Sequence, residues 1–304
     1  MNLSIMTTIY QATDIFKYYP RSNFKLEVPK LQLDPGSITG VVGENGNGKT
    51  TLLNIVAGNL SQKNTSFVYF DKTPKTANDW SNVKDKIAFI PQRIPKWYGS
   101  LLQNLQLKAA VEGIPNEDID SELDKIINFL GLTKYKHLKW SEISTGYRLR
   151  FELARVLIGK PQLLVLDEPI ANLDINAQQQ FLSDLKEIAE SKEYPIAVIL
   201  SSQQLHEIET IATQMIFLKE GKALFSGDLE SLKSTNNTIE ILVNENDKLV
   251  DFLHTKNYKF TKRGVYFQVD IDKKNSNIFI KELIDQEINI NYYRDISKST
   301  KKLF

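Results

Sequence analysis

Cysteine is absent from the 304-residue sequence. Its absence excludes disulfides, thiolate metal sites and cysteine nucleophiles, and it fits a cytosolic setting. A charge excess of one sign is also missing. The 38 Lys and Arg stand against 37 Asp and Glu, a net charge of +1, so there is no broad field for nucleic acid or acidic lipid. Long apolar runs are missing too. No stretch approaches the roughly 20 apolar residues of a membrane-spanning helix. The longest pieces, such as Leu163–Leu166 and Ile196–Leu200, suit buried parallel strands. The start, MNLSIMTTIYQATDIFKYY, lacks a basic opening followed by an apolar run and does not read as a signal peptide. Any role at a membrane is therefore expected to pass through a partner. Internal repeats and low-complexity tracts are absent as well.

What remains is an ordinary globular balance, 41% hydrophobic and 25% charged, with enough chain for one large domain or two smaller ones. Ile38–Val42 is apolar and β-branched, and a glycine-rich turn follows it. Lys49–Ala57 then predicts a helix, with Leu52, Leu53 and Val56 at helical spacing and Gly58 as its stop. Further apolar strands end at Asp167, run from Ile196 to Leu200, and span Met215–Leu218. Between Gln92 and Ser144 the texture changes. Leu101, Leu105, Ile126, Ile127 and Leu130 give helical periodicity, which predicts an inserted helical subdomain over about residues 93–158. Strands alternating with helices predict an α/β fold with a mostly parallel sheet.

The polar run Ser234-Thr235-Asn236-Asn237 reads as a linker. It divides a domain of residues 1–233 from a small one of residues 238–304. In the small domain Ile239–Val243, Tyr258–Thr261, Val265–Ile271 and Ile288–Tyr293 predict strands, and Val265, Phe267, Val269 and Ile271 share one face. Lys248–Lys256 and the segment marked by Ile280, Leu283 and Ile284 predict helices. The order β-α-β-β-α-β describes a ferredoxin-like α+β arrangement.

The first chemical motif is Gly43-Glu44-Asn45-Gly46-Asn47-Gly48-Lys49-Thr50, which fits G-x-x-x-x-G-K-[ST]. Glycines let the backbone curl so that successive N–H groups point at phosphate oxygens, and the following helix adds its positive end. Lys49 would reach the β and γ phosphates, the Thr50 hydroxyl would ligate Mg²⁺, and Thr51 continues the loop onto the helix. The pattern arises by chance in roughly one chain of this length in a hundred. Here it also sits in the strand–loop–helix context that the chemistry requires, which favours phosphate binding over a chance turn.

The second is Leu163-Leu164-Val165-Leu166-Asp167-Glu168-Pro169. An apolar strand delivers two carboxylates at its C-terminal end, where α/β folds bind ligands. Asp167 suits water-mediated Mg²⁺ binding, and Glu168 suits the general base for an attacking water. Alone, such a run is usually a strand end. Downstream of a phosphate loop it becomes specific.

The third is Ile143-Ser144-Thr145-Gly146-Tyr147-Arg148-Leu149-Arg150-Phe151-Glu152-Leu153-Ala154-Arg155. Ser144 and Gly146 open a helix whose positive end can meet a phosphate, although an ordinary capped helix would look similar. The segment resembles the L-S-G-G-Q signature of ATP-binding-cassette (ABC) transporter ATPases, with Ser144, Gly146, Arg150, Ala154 and Arg155 matching. Thr145 stands in place of a glycine and Tyr147 in place of the glutamine. The resemblance covers about residues 7 to 230 and implies a P-loop NTPase core that binds and hydrolyses ATP with Mg²⁺.

The same resemblance implies further roles. Gln92 matches the glutamine that touches Mg²⁺ and the water, and Asp174 the aspartate that contacts a second cassette. Tyr19 matches the aromatic that stacks on adenine, with Tyr18 as the alternative. Gln203 falls at the position of the switch histidine, and His206 lies about one helical turn later. In the family, Ser144 and Gly146 face the nucleotide of the opposing cassette. The C-terminal segment, with its end Tyr292-Tyr293-Arg294-Asp295-Ile296-Ser297 through Leu303-Phe304, resembles more loosely the accessory domain of drug-exporter ATPases. The implied partners are an integral membrane subunit, docked near Gln92–Tyr98, and a second cassette of the same or a paralogous chain, with no nucleic acid. The implied location is the cytoplasmic face of the membrane. Two other readings stay open: a soluble ABC ATPase outside transport, and a degenerate cassette that binds ATP and signals by dimerising.

Overall fold

The computed structural model describes residues 8–61, 66–192, 194–229, 236–272, 276–286 and 288–295. The chain forms two compact units, which divide after Leu229.

The first unit is built on a nine-stranded sheet. Its strands in chain order are β1 (Tyr10–Tyr19), β2 (Phe24–Leu33), β3 (Ile38–Val42), β4 (Ser66–Tyr69), β5 (Ile87–Ile90), β6 (Leu163–Leu166), β7 (Ala197–Ser202), β8 (Gln214–Lys219) and β9 (Lys222–Asp228). They lie in the order β4-β1-β2-β9-β8-β3-β7-β6-β5. The five strands from β8 to β5 are mutually parallel, whereas β1 pairs antiparallel with both β2 and β4. Every residue of β3, β6 and β7 is buried. Two-sided burial explains why these strands read as unbroken apolar runs rather than as alternations. Each fully buried Leu, Ile or Val side chain stabilises the core by about 1.5–3 kcal/mol.

Helix α1 (Lys49–Val56) follows β3 and buries Leu52, Leu53, Ile55 and Val56 in a cluster with Val41, Val165 and Ile199 of the sheet. Gly58 takes a left-handed φ of 70° just past its end. A short α2 (Ala77–Lys84) precedes β5. Helices α3 (Leu101–Val111), α4 (Asn116–Phe129) and α5 (Thr145–Leu157) fill the interval between the neighbouring strands β5 and β6, so the helical subdomain leaves the sheet and returns to the adjacent strand. Leu101, Leu105, Ile127 and Leu130 are buried in it, and Ile126 is half-buried. Helix α6 (Ile175–Ala189) follows β6, and the four-residue α7 (Leu205–Ile208) follows β7.

The second unit contains β10 (Asn236–Val243), α8 (Asn246–Thr255), β11 (Lys259–Arg263), β12 (Tyr266–Asp272), α9 (Ser276–Asp285) and β13 (Ile290–Asp295). Its sheet order, β11-β12-β10-β13, is antiparallel throughout. This is the ferredoxin-like β-α-β-β-α-β topology. Ile239, Ile241, Phe267, Val269 and Ile271 of the sheet pack with Leu249, Leu253, Phe279 and Leu283 of the helices.

Two local expectations are corrected. Asn236 and Asn237 belong to β10 and pair with Asp272 and Ile271, because a neighbouring strand supplies the hydrogen bonds that the polar side chains alone did not announce. Ser234 and Thr235 lie outside the described residues. Val265 does not share the buried face of Phe267 and is 60% exposed, since it follows Gly264, at φ 61°, in the turn between β11 and β12. The helix marked by Ile280, Leu283 and Ile284 forms as α9, with Phe279 and Leu283, one turn apart, buried and Ile284 exposed. Of the end that resembles an exporter tail, residues 292–295 lie in β13 and residues 296–304 lie outside the described residues.

Candidate active site

The loop between β3 and α1 is shaped by what its glycines allow. Gly48 sits at φ 97°, and a Cβ there would stand 2.9 Å from the Phe24 ring. A Cβ on Gly43 would stand 2.4 Å from the Leu218 carbonyl oxygen. Neither position tolerates a side chain without displacing its neighbours. Asn47 fastens the loop from outside, its Oδ1 accepting the backbone N–H of Glu220 at 2.9 Å. Glu44, Asn45 and Gly46 are exposed along the loop, and Thr51 is half-buried on α1.

Lys49 is buried and its ammonium curls back over the loop. It donates to the carbonyls of Gly43 and Glu44 at 2.6 and 3.1 Å and pairs with Glu168 Oε1 at 3.0 Å. Next to it, the Thr50 hydroxyl donates to Asp167 Oδ2 at 2.8 Å. The parallel pairing of β6 with β5 and β7 carries Asp167 and Glu168 to the C-terminal edge of the sheet, facing the loop that follows β3. Both carboxylates are buried, at 5% and 7% exposure, so each requires partners. Glu168 Oε2 accepts from Gln92 Nε2 at 2.9 Å and from Gln203 Nε2 at 3.0 Å. Gln92 comes from just after β5 and Gln203 from just after β7, so three strand ends converge on one carboxylate.

Of the two candidates after β7, Gln203 reaches Glu168 and His206 lies exposed on α7. Tyr19 ends β1 opposite Phe24, its ring 6.4 Å from the Phe24 ring. Phe24 in turn packs on Gly48 of the phosphate loop. Tyr18 points its hydroxyl at Asn23 Oδ1, 3.1 Å away.

The remaining residues gather elsewhere. Ser144 caps α5, its side chain accepting from the Tyr147 N–H at 3.4 Å. Asp174 caps α6 through the Ala177 N–H at 2.9 Å. Gly146 lies between the two caps, where an added Cβ would meet Ala177 Cβ at 3.1 Å. Ser144 and Asp174 thus each bond the first turn of their own helix, and Gly146 packs on the start of α6. Tyr147 packs against Tyr135 with the rings tilted by 37°, centroids 4.0 Å apart and hydroxyls 2.8 Å apart. That hydrogen bond and burial raise the Tyr147 phenol above the ordinary value.

Sequence reasoning gave no role to three features of this site. Ser201, in β7, donates to Asp167 Oδ1 at 2.9 Å and accepts the Glu168 N–H at 2.8 Å. The signal was available as a polar pair, Ser201-Ser202, ending a strand of buried apolar residues, since buried hydroxyls demand partners. Glu168 itself holds a φ of 45°, which a pattern of residue types does not disclose. Beyond Gln92, Trp97 is buried and stacks on Trp140 with centroids 5.0 Å apart. Its indole donates to Glu152 Oε2 at 3.2 Å, and Glu152 also binds Arg155. The segment after Gln92 is thereby anchored to the signature helix α5.

Fold and site together define a P-loop nucleotide-binding protein with a helical subdomain between its glutamine and its acidic strand. Known proteins make the class narrower. The sequence profile of the family described as ABC transporter matches residues 26–171. An ABC transporter ATP-binding protein of Methanocaldococcus jannaschii is 31% identical over 238 residues, 78% of this chain and 83% of that protein. The ABC transporter ATP-binding protein YdbJ of Bacillus subtilis is 28% identical over 257 residues, 84% of this chain and 81% of its own length. Among solved structures, cbiO1 from Clostridium perfringens, part of the ABC transporter complex cbiONQ, superposes with a TM-score of 0.68 at 21% identity. That match covers 83% of this chain and 99% of cbiO1. The chain belongs to the ATP-binding proteins of ABC transporters and is an ATPase of that class.

Proposed function

We propose that the protein hydrolyses ATP to power transport, in the outward direction, through a separate membrane subunit. The observation that carries this reading is the grip on Glu168. One oxygen pairs with the Lys49 ammonium at 3.0 Å, and the other takes amide donors from Gln92 and Gln203 at 2.9 and 3.0 Å. In the reading, Lys49 and the loop N–H groups bind the phosphates of ATP, Tyr19 borders the adenine, and Glu168 takes the proton of the attacking water. Gln92 and Gln203 orient that water. Thr50 and Asp167 present hard oxygen donors side by side, a donor set suited to Mg²⁺, which is usually held by one or two protein oxygens plus phosphate. When bound, the cation would neutralise charge developing between the β and γ phosphates.

Ser144 and Gly146 stand away from their own phosphate loop at the start of α5. That placement supports a head-to-tail dimer in which each signature meets the other cassette's nucleotide. Among the described residues no helix is long and apolar enough to cross a membrane, which fits attachment to the membrane through a partner. The direction rests on the resemblance of the C-terminal unit to the drug-exporter class. The test is detergent co-purification of a multi-span membrane protein, followed by ATP turnover and substrate flux in vesicles. Capture of the partner with ATP-driven efflux supports the reading, and ATP-driven uptake would reverse the assigned direction. A second reading, a cassette that dimerises on ATP with little hydrolysis, draws on Gln203 and on the Tyr147–Tyr135 pair. Negligible turnover in the presence of the partner would favour it.

A further inference from the structure

We propose that Ser201 is a positioning residue for the hydrolytic centre, its buried hydroxyl setting the Asp167 carboxylate and the Glu168 backbone in one fixed relation. The inference rests on the ATPase reading above and adds to it a residue without which Asp167 and Glu168 are present but loose.

Ser201 is fully buried. It sits in β7, which pairs in parallel with β6 along Leu163–Leu166. A hydroxyl in such a place must be satisfied, and this one is satisfied twice by consecutive residues of the neighbouring strand end. A backbone N–H can only donate, so the Glu168 N–H at 2.8 Å makes Ser201 Oγ an acceptor. The hydroxyl proton is then directed to Asp167 Oδ1 at 2.9 Å. With Oδ1 held, the plane of the Asp167 carboxylate is set, and Oδ2 is turned toward the Thr50 hydroxyl at 2.8 Å.

The contact to Glu168 acts on a strained residue. Glu168 has a φ of 45°, uncommon for a residue other than glycine, and Pro169 behind it denies it the ordinary helical conformation. Such backbone strain persists only where the surroundings over-determine it. Here the Asp167 N–H is fixed to the Ile90 carbonyl at 3.0 Å and the Glu168 N–H to Ser201. The side chain therefore leaves the backbone toward Lys49, Gln92 and Gln203. The rest of β7 up to this point, Ala197 to Leu200, carries no polar side chain. Alanine at position 201 would thus preserve the packing and remove only the two hydrogen bonds.

The test uses the full-length chain with its membrane partner. Second-sphere partners of metal ligands are typically worth roughly 10–100-fold in metal affinity or activity. Ser201→Ala should lose about that factor in kcat, with the KM for ATP changed by less than about threefold. A readout independent of turnover is Mn²⁺ affinity of the complex with a non-hydrolysable ATP analogue, followed by electron paramagnetic resonance. That affinity should fall roughly tenfold. Ser201→Thr keeps the hydroxyl and should recover both. Wild-type kcat and Mn²⁺ affinity in Ser201→Ala would overturn the proposal. So would parallel losses in kcat, KM and melting temperature that threonine does not restore, because these would mark a purely structural residue. A wild-type chain that binds no nucleotide would overturn the ATPase reading itself, and this inference with it.

Discussion

Gln203 donates a 3.0 Å hydrogen bond to Glu168, from the position that the sequence resemblance matches to a switch histidine. The amide supplies an uncharged donor there, whereas a protonated histidine would add the attraction of a full positive charge to the same anionic acceptor. We therefore expect a slow but working ATPase whose turnover shows no titration near pH 6 to 7 from this position, because an amide does not ionise. Gln203→His should introduce such a pH dependence, and Gln203→Ala should lower turnover further. The measurement is turnover against pH for the three proteins. If alanine matched wild type while His206→Ala was inactive, His206 would hold the switch role.

Lys49→Ala removes the one ammonium that, among the described residues, contacts Glu168 and the phosphate loop. It should weaken ATP binding and abolish hydrolysis, since phosphoryl transfer depends on neutralising the β and γ phosphates. Equilibrium binding of a fluorescent ATP analogue checks it. Wild-type affinity in the variant would refute the phosphate-loop assignment.

Deleting residues 230–304 should leave a folded cassette that still binds ATP. The two units divide after Leu229, and each has its own apolar cluster, the condition for independent folding. Circular dichroism and ATP binding of the truncated chain decide it, and global unfolding would contradict it.

Glu152→Ala strips the Trp97 indole of its acceptor and Arg155 of its carboxylate. The cost should be about 1–3 kcal/mol, the usual penalty for a buried polar group left unsatisfied. Arg155 is about a third exposed, so water compensates part of its loss and Trp97 carries most of the effect. Urea unfolding followed by tryptophan fluorescence measures it. An unchanged midpoint would show that the stacked Trp97–Trp140 pair holds this segment without Glu152.

Much of this arrangement was legible in residue order. Unbroken apolar runs marked β3, β6 and β7 because both faces of those strands are covered. Lys49, Thr50, Asp167 and Glu168 announced themselves because a phosphate loop and an acidic strand need those residue types at fixed offsets. The antiparallel flank of β1, β2 and β4 was harder to see. Its strands mix buried and exposed positions, and their pairing with one another is not a local property. Ser201 and the φ of Glu168 stayed hidden for a related reason, since both depend on which strand lies beside which. In the second unit, Val265 was misplaced because periodicity ranks hydrophobic residues alike, whereas the turn at Gly264 takes it off the buried face.

The proposed function turns on Glu168 acting as the base of an ATP-hydrolysing cassette. The most direct measurement is ATP binding and single-turnover hydrolysis by wild type and Glu168→Gln, side by side and with the membrane partner present. The variant should keep near-wild-type ATP affinity and hydrolyse at a rate lower by roughly 10²–10⁴, the range of general-base catalysis, with ATP trapping a stable dimer. Hydrolysis by Glu168→Gln at a rate comparable to wild type would show that Glu168 is not the base and would move that role to another residue.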